Sequence, residues 1–202
     1  MAFKNLTLND MQKNRIEPFS DGVIAIIITI MVLELKIPHG DSFDEIIKLL
    51  PKFLSYVLSF IYVAIYWNNH HHLIHTVKKV IAKVMWSNTH LLFWLSLIPF
   101  VTAWAGENNF SILPVATYGV VLFMAAVAYY ILTISIIKTD KEDSMLKMAI
   151  GEDIKGKASV VLYAIAIPLA FLQPYASVGI YILVAFIWLI PDRRIEKRLT
   201  DR

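Results

Sequence analysis

The chain alternates long apolar runs with short charged connections, and the length of each run decides what it can be. The first run lies inside R-I-E-P-F-S-D-G-V-I-A-I-I-I-T-I-M-V-L-E-L, residues 15–35. Its charges sit only at the ends, with Arg15, Glu17 and Asp21 before the run and Glu34 after it. The twelve residues from Gly22 to Leu33 carry no charge, and most are β-branched. Pro18 and Pro38 bracket about 20 residues, which at ~1.5 Å rise each make a helix of roughly 30 Å, one bilayer's hydrocarbon thickness. The uncharged part alone is short for a lipid-facing span, so this helix is expected inside an assembly, as a core or pore-lining element.

Five more runs follow. Uncharged stretches cover 53–77, 84–106 and 108–137. The thirty-four residues from Ala158 to Pro191 are also uncharged, too many for one helix, and Gln173-Pro174 interrupts them. Two helices joined by a tight turn are predicted there. The pattern as a whole predicts an all-α integral membrane protein, a single domain over residues 1–202. Its six spans fall at about 16–36, 49–76, 84–105, 111–138, 157–173 and 176–191. Six spans put both termini on one side. Sixteen of the nineteen lysines and arginines lie in the N-terminal segment, the second and fourth connections and the tail, so that side is read as cytoplasmic. The opposite mouth carries Glu34, Asp41, Asp44, Glu45 and Glu107, and Trp86 and Trp104 stand near the two ends of the third run as interfacial anchors do. Between Lys138 and Lys157 a short periodic piece (Met145, Leu146, Met148, Ala149) reads as a turn or two of surface helix.

Composition agrees with this layout. The chain is 57% hydrophobic and 17% charged, against ~45–50% and ~25% in soluble domains, and the surplus has to face lipid. The net charge is +3, but the basic residues are spread over connections and form no patch for nucleic acid. The absence of cysteine excludes a disulfide framework, a thiolate metal site and a thiol nucleophile. The first 15 residues hold no apolar h-region, so no cleavable signal peptide is expected and the chain stays in the cell membrane as a multi-pass protein. F-S-D-G occurs once and neither later half repeats the first run, which weighs against an inverted-repeat transporter. Thr117-Tyr118-Gly119-Val120 only approaches the T-V-G-Y-G filter of potassium channels. A voltage-sensing arginine repeat, a phosphate-binding glycine loop and a nucleophile elbow are all missing, and no enzyme is expected.

Candidate chemistry gathers on the first two spans. Ile26, Thr29, Ile30 and Leu33 fall at i, i+3, i+4 and i+7, one face of a helix. Gly22, Ala25 and Thr29 make a neighbouring edge of small residues that lets another helix approach. Helix packing and a symmetric pore with apolar rings and a threonine ring both fit this periodicity. Asp21 at the membrane edge needs a partner, and Arg15 is six residues away, beyond direct pairing along one helix. The second span offers Trp67, Asn68, Asn69, His70, His71, His72 and His75 at the same depth. A network locking the first helix to the second is therefore expected, with N-capping by Ser20 or Asp21 as the local alternative. His71 and His75 share a face at i, i+4 and neutral imidazoles bind zinc or iron, but only His39 and His90 remain elsewhere. A metal enzyme is set aside and no metal site is assigned. Asp21 with the His70–His75 cluster also makes a proton relay conceivable, so a proton-coupled secondary transporter is the alternative to a channel.

Arg15-x-x-x-Phe19-Ser20-Asp21-Gly22, followed by V-I-A-I-I-I-T-I, closely resembles the signature of the transmembrane protein 175 family, the endosomal and lysosomal potassium channels of animals and their prokaryotic relatives. Trp67-x-x-His70-His71 and Asn88-x-x-Leu91-Leu92 with Leu97-Ile98-Pro99-Phe100-x-Thr102 resemble the family's second and third spans, so the likeness covers roughly residues 15–104. The resemblance implies a cation channel selective for potassium, weakly over sodium in prokaryotic members, without cofactor. It also implies a homotetramer with four copies of the first helix around the axis, in contact with lipid and permeant K⁺. Carried over by position, Ile26 matches the narrowest apolar constriction, Ile30 and Leu33 further apolar rings, and Thr29 a threonine linked to potassium preference. Arg15, Phe19, Ser20, Asp21 and Gly22 match the motif that ties the pore helix to its neighbours. Trp67 and His70 or His71 are its expected partners. The second half of the chain carries no matching motif.

Overall fold

The computed structural model describes residues 8–38, 40–77, 80–139 and 154–189, with side chains from Arg15 onward in the first segment. Among the described residues all regular structure is helical: α1 (Leu8–Leu33), α2 (Phe43–His75), α3 (Ala82–Ser96), α4 (Ile98–Glu107), α5 (Ile112–Thr139), α6 (Ile154–Leu169) and α7 (Pro174–Leu189).

Of the prolines expected to bracket the first helix, Pro18 lies inside it and Pro38 beyond its end. α1 begins at Leu8 and runs through Pro18, and α2 runs through Pro51. A proline inside a helix forfeits one backbone hydrogen bond, and its ring crowds the carbonyl one turn back. Both helices continue past that loss: Pro18 is exposed, whereas Pro51 is half-buried one turn before the buried Ser55. The third run is interrupted instead. Leu97 separates α3 from α4, and Pro99 in the first turn of α4 has no N–H to offer the preceding turn. At the end of α6 the N–H of Gln173 donates to the Leu169 carbonyl at 2.8 Å. Pro174 then opens α7 with its φ already set for a helix.

Among the described residues four stretches are long and apolar enough to cross a membrane: Arg15–Leu33, Phe43–His75, Ala82–Glu107 and Ile112–Thr139. α6 and α7, with 16 residues each, are shorter. α2 has 33 residues, about 50 Å of helix, so it overreaches the hydrocarbon or tilts within it.

α1 lies against α2, α3 and α4, α3 packs on α5, and the α6–α7 hairpin packs on α5 with α7 reaching α2. Ile74, Val84, Leu91, Leu95, Ile98 and Leu132 are fully buried between them. Small residues on α5, Ala125 and Ala128, allow its neighbours close. Among the described residues the buried side-chain polar atoms are paired except Nδ1 of His70. Ser59 and Tyr118 share a hydrogen bond of 2.8 Å, Ser55 donates to the Thr102 carbonyl at 2.7 Å, and Tyr181 donates to the Val115 carbonyl at 3.1 Å. Tyr118 and Gly119 therefore belong to helix packing in α5, their carbonyls committed to the helix. The surface piece around Met145–Ala149, Lys78, Lys79, His39 and the basic tail lie outside the described residues.

Candidate functional site

α1 has two unlike faces. Ile16, Ser20, Ile24, Ile27 and Met31 are buried against the rest of the chain, with Ile24 and Met31 only 1% exposed. On the other side Phe19, Gly22, Ala25, Ile26, Thr29, Ile30 and Leu33 are exposed, Ile26 at 60% and Leu33 at 74%. The buried set recurs at i, i+4, i+8, i+11 and i+15, a single stripe. The wide apolar remainder is uncovered in one chain. A Cβ on Gly22 would meet nothing within 4 Å, so its smallness serves no contact inside the chain. The Thr29 hydroxyl donates to the Ala25 carbonyl at 2.9 Å. With its proton turned inward, the oxygen's lone pairs face outward on the exposed side.

The buried face is pinned by hydrogen bonds. Ser20 donates to the Ile16 carbonyl at 2.8 Å and accepts from Nδ2 of Asn88 at 2.9 Å. Oδ1 of Asn88 lies 2.7 Å from Nε2 of His70. An amide oxygen has no proton to give, so Nε2 of His70 is the donor in this bond. Ser20 and His70 are fully buried and Asn88 nearly so. Nearer the surface, Trp67 donates its indole N–H to Oδ1 of Asp21 at 3.1 Å. In this setting each missing partner leaves a polar atom facing hydrocarbon, at a cost of about 1–3 kcal/mol.

The structure thus joins Ser20, Asp21, Trp67 and His70, and it selects His70 from the three adjacent histidines. Arg15, Phe19 and Gly22 face away from this network; Arg15 is exposed and makes no ion pair among the described residues. His71 lies elsewhere, its Nδ1 3.1 Å from Oε1 of Glu17, with His75 beside it. Sequence reasoning missed two residues as site members. Asn88 is the hub of the buried network, and the clue was a carboxamide in the middle of an uncharged run, which must find partners. Glu17 faces the second histidine pair, and its clue was a lone carboxylate one turn before Asp21. A cavity of about 360 Å³ lies away from α1, between α2, α5 and α6 near Tyr66, Tyr129 and Lys157.

An all-helical chain with several membrane-length apolar helices, one of them pinned by buried hydrogen bonds while its other apolar face stays bare, is a multi-pass membrane protein. The family model described as "Endosomal/lysosomal potassium channel TMEM175" matches residues 15–99. A potassium channel from Chryseobacterium sp. (strain P1-3) is 56% identical over 191 residues, 95% of this chain and 100% of that one. The chain belongs to the TMEM175 family, a family of ion channels and not of enzymes. The human endosomal/lysosomal proton channel TMEM175 is 27% identical over 193 residues, 85% of this chain and 38% of its own length. The crystal structure of a lysosomal potassium-selective channel TMEM175 homolog from Chamaesiphon minutus superposes with a TM-score of 0.76 at 26% identity, over 89% of this chain and 97% of that one.

Proposed function

We propose that the chain is a potassium channel, selective weakly over sodium, that assembles as a homotetramer with α1 around a central pore. Ile26, Ile30 and Leu33 form apolar rings that narrow the passage and gate it by excluding water, and Thr29 supplies a ring of hydroxyl oxygens to a partly hydrated cation. Ser20, Asp21, Trp67, His70 and Asn88 hold α1 in register with α2 and α3. Six spans, with α6 and α7 as the short last pair, place both termini in the cytoplasm of a cell with the chain in its plasma or inner membrane. The channel acts without cofactor and meets lipid along its outer surface.

The observation that carries this reading is the bare face of α1. An apolar stripe with an outward hydroxyl, on the helix that holds the family signature, is left uncovered by the chain that anchors its opposite side. The potassium-channel names of the relatives support K⁺ as the permeant ion. A second reading, proton permeation, is favoured by the names of the animal relatives alone.

Purified protein in liposomes with a K⁺ gradient tests the reading. We expect K⁺ flux without valinomycin, and flux raised several-fold by Ile26→Ala. Silence in both proteins overturns the channel. A pH-sensitive dye in the same vesicles, with K⁺ absent, reports protons: acidification without K⁺ flux supports the second reading. Saturable uptake abolished by Asp21→Asn supports a proton-coupled transporter.

A further inference from the structure

A second cluster lies at the end of the bundle where α1 begins its buried stripe and α2 ends. Glu17 of α1 faces His71 and His75 of α2, and one ligand atom from each residue lies within 4.8 Å of the others. Oε1 of Glu17 is 3.1 Å from Nδ1 of His71 and 3.4 Å from Nε2 of His75. Nε2 of His75 is also 3.1 Å from Nε2 of His71. Tetrahedral zinc, with bonds of about 2.0–2.1 Å to nitrogen and oxygen, sets its ligand atoms roughly 3.3 Å apart. The short contacts of His71 use different ring nitrogens, Nδ1 toward Glu17 and Nε2 toward His75. An ion held by one of them gathers ligand atoms that lie within 4.8 Å of one another and draws them toward that spacing. The groups are reachable, since the side chains of Glu17, His71 and His75 are 23%, 38% and 56% exposed.

We propose that Glu17, His71 and His75 form a site for a borderline transition-metal dication such as Zn²⁺, with water in the fourth position, which clamps α1 to α2. Two imidazoles and one carboxylate suit Zn²⁺, Co²⁺ or Ni²⁺, and exclude Mg²⁺ and Ca²⁺, which take oxygen ligands. The i, i+4 pair on one turn of α2 fixes two ligands rigidly, and Glu17 supplies the third from a helix distant in sequence. Occupancy draws the three side chains inward by rotation about their own bonds and ties the two helices together one turn from the Asp21–Trp67 bond. The sequence alone points away from a metal because it offers too few histidine clusters for an enzyme. A clamp needs only one pair and a carboxylate that the fold delivers. Neither binding nor the clamp depends on what the pore conducts.

Cobalt is the probe, because tetrahedral Co²⁺ absorbs in the visible far more strongly than the hydrated ion. Tag-free protein in detergent, titrated with Co²⁺, should develop this band to saturation at one ion per chain, and Zn²⁺ should bleach it. Glu17→Gln and His75→Gln should each weaken binding at least tenfold, since even the loss of an outer-shell partner costs about 10–100-fold. His72→Gln and His90→Gln should leave it unchanged. Zn²⁺ should also raise the melting temperature of the parent protein and not that of His75→Gln. Absence of a saturable band, or equal loss on replacing His72, overturns the site. Glu17 and His75 are partly exposed and outside the buried network, so elution volume and metal-free melting temperature verify that these variants are folded.

Discussion

Asn88 makes both its bonds inside the bundle, to Ser20 on α1 and His70 on α2, and it sits on α3, so one side chain joins three helices. Asn88→Ala leaves the buried hydroxyl of Ser20 without its donor and His70 without an acceptor. We expect a loss of about 1–3 kcal/mol, with melting temperature lowered as measured by intrinsic fluorescence on heating in detergent. Ser20→Ala should cost less, since the Ile16 carbonyl keeps its helical partner and Nδ2 of Asn88 is the one donor left without its acceptor. Thr29 is the opposite case, exposed and touching only its own backbone. Thr29→Val keeps the volume and removes the oxygen, so stability should hold while the K⁺/Na⁺ flux ratio falls toward one. An unchanged ratio would remove Thr29 from the selectivity account. At this scale the sequence told which residue types need partners but not who meets whom. Asp21 needed a donor and Trp67 was among those on offer. Choosing His70 over His71 and His72 required the rotation of α2 about its axis, which three consecutive histidines cannot reveal.

Helix existence was legible because apolar runs of membrane length have few alternatives. Boundaries and breaks were harder, since they turn on whether packing outweighs a lost hydrogen bond. Pro18 and Pro51 sit where it does, and Pro99, at the break between α3 and α4, where the helix yields. Two glycines show how contacts between elements escape a one-dimensional pattern. A Cβ on Gly106 of α4 would lie 2.8 Å from the Cα of Lys52 on α2, a backbone atom that cannot turn aside. Gly106→Ala should force α2 and α4 apart, cost about 1–3 kcal/mol, and lower the melting temperature. Gly22 faces open space in the chain, and alanine is the better helix former by about 1 kcal/mol. Gly22→Ala should leave secondary structure intact by circular dichroism, yet reduce flux if copies of α1 approach one another there. A variant that conducts like the parent would move the helix contact away from Gly22.

In the whole molecule, exposed apolar surface is of two kinds that look alike in a single chain. Val161 and Ile165 on α6 are exposed, as are Ile26 and Leu33 on α1. Lipid covers the first pair if α6 lies on the rim. The second pair is wetted, at least intermittently, if α1 lines a pore. The chain has no cysteine, so one introduced thiol reports its own surroundings without background. Leu33 ends α1 at a mouth of the proposed passage, beyond the narrower turn at Ile26. Leu33→Cys should react quickly with a charged, membrane-impermeant thiosulfonate, and the adduct should stop K⁺ flux. Val161→Cys, in hydrocarbon where thiolate does not form, should stay unmodified and conduct as before. Ile26→Cys should react more slowly than Leu33→Cys, and faster when flux is high, because water reaches a hydrophobic constriction only while it is open. If Leu33→Cys reacts and flux persists, the mouth is wet but the passage lies elsewhere. If neither α1 thiol reacts in a conducting preparation, the bare face is a lipid or subunit seam, and the pore must be sought among the other helices.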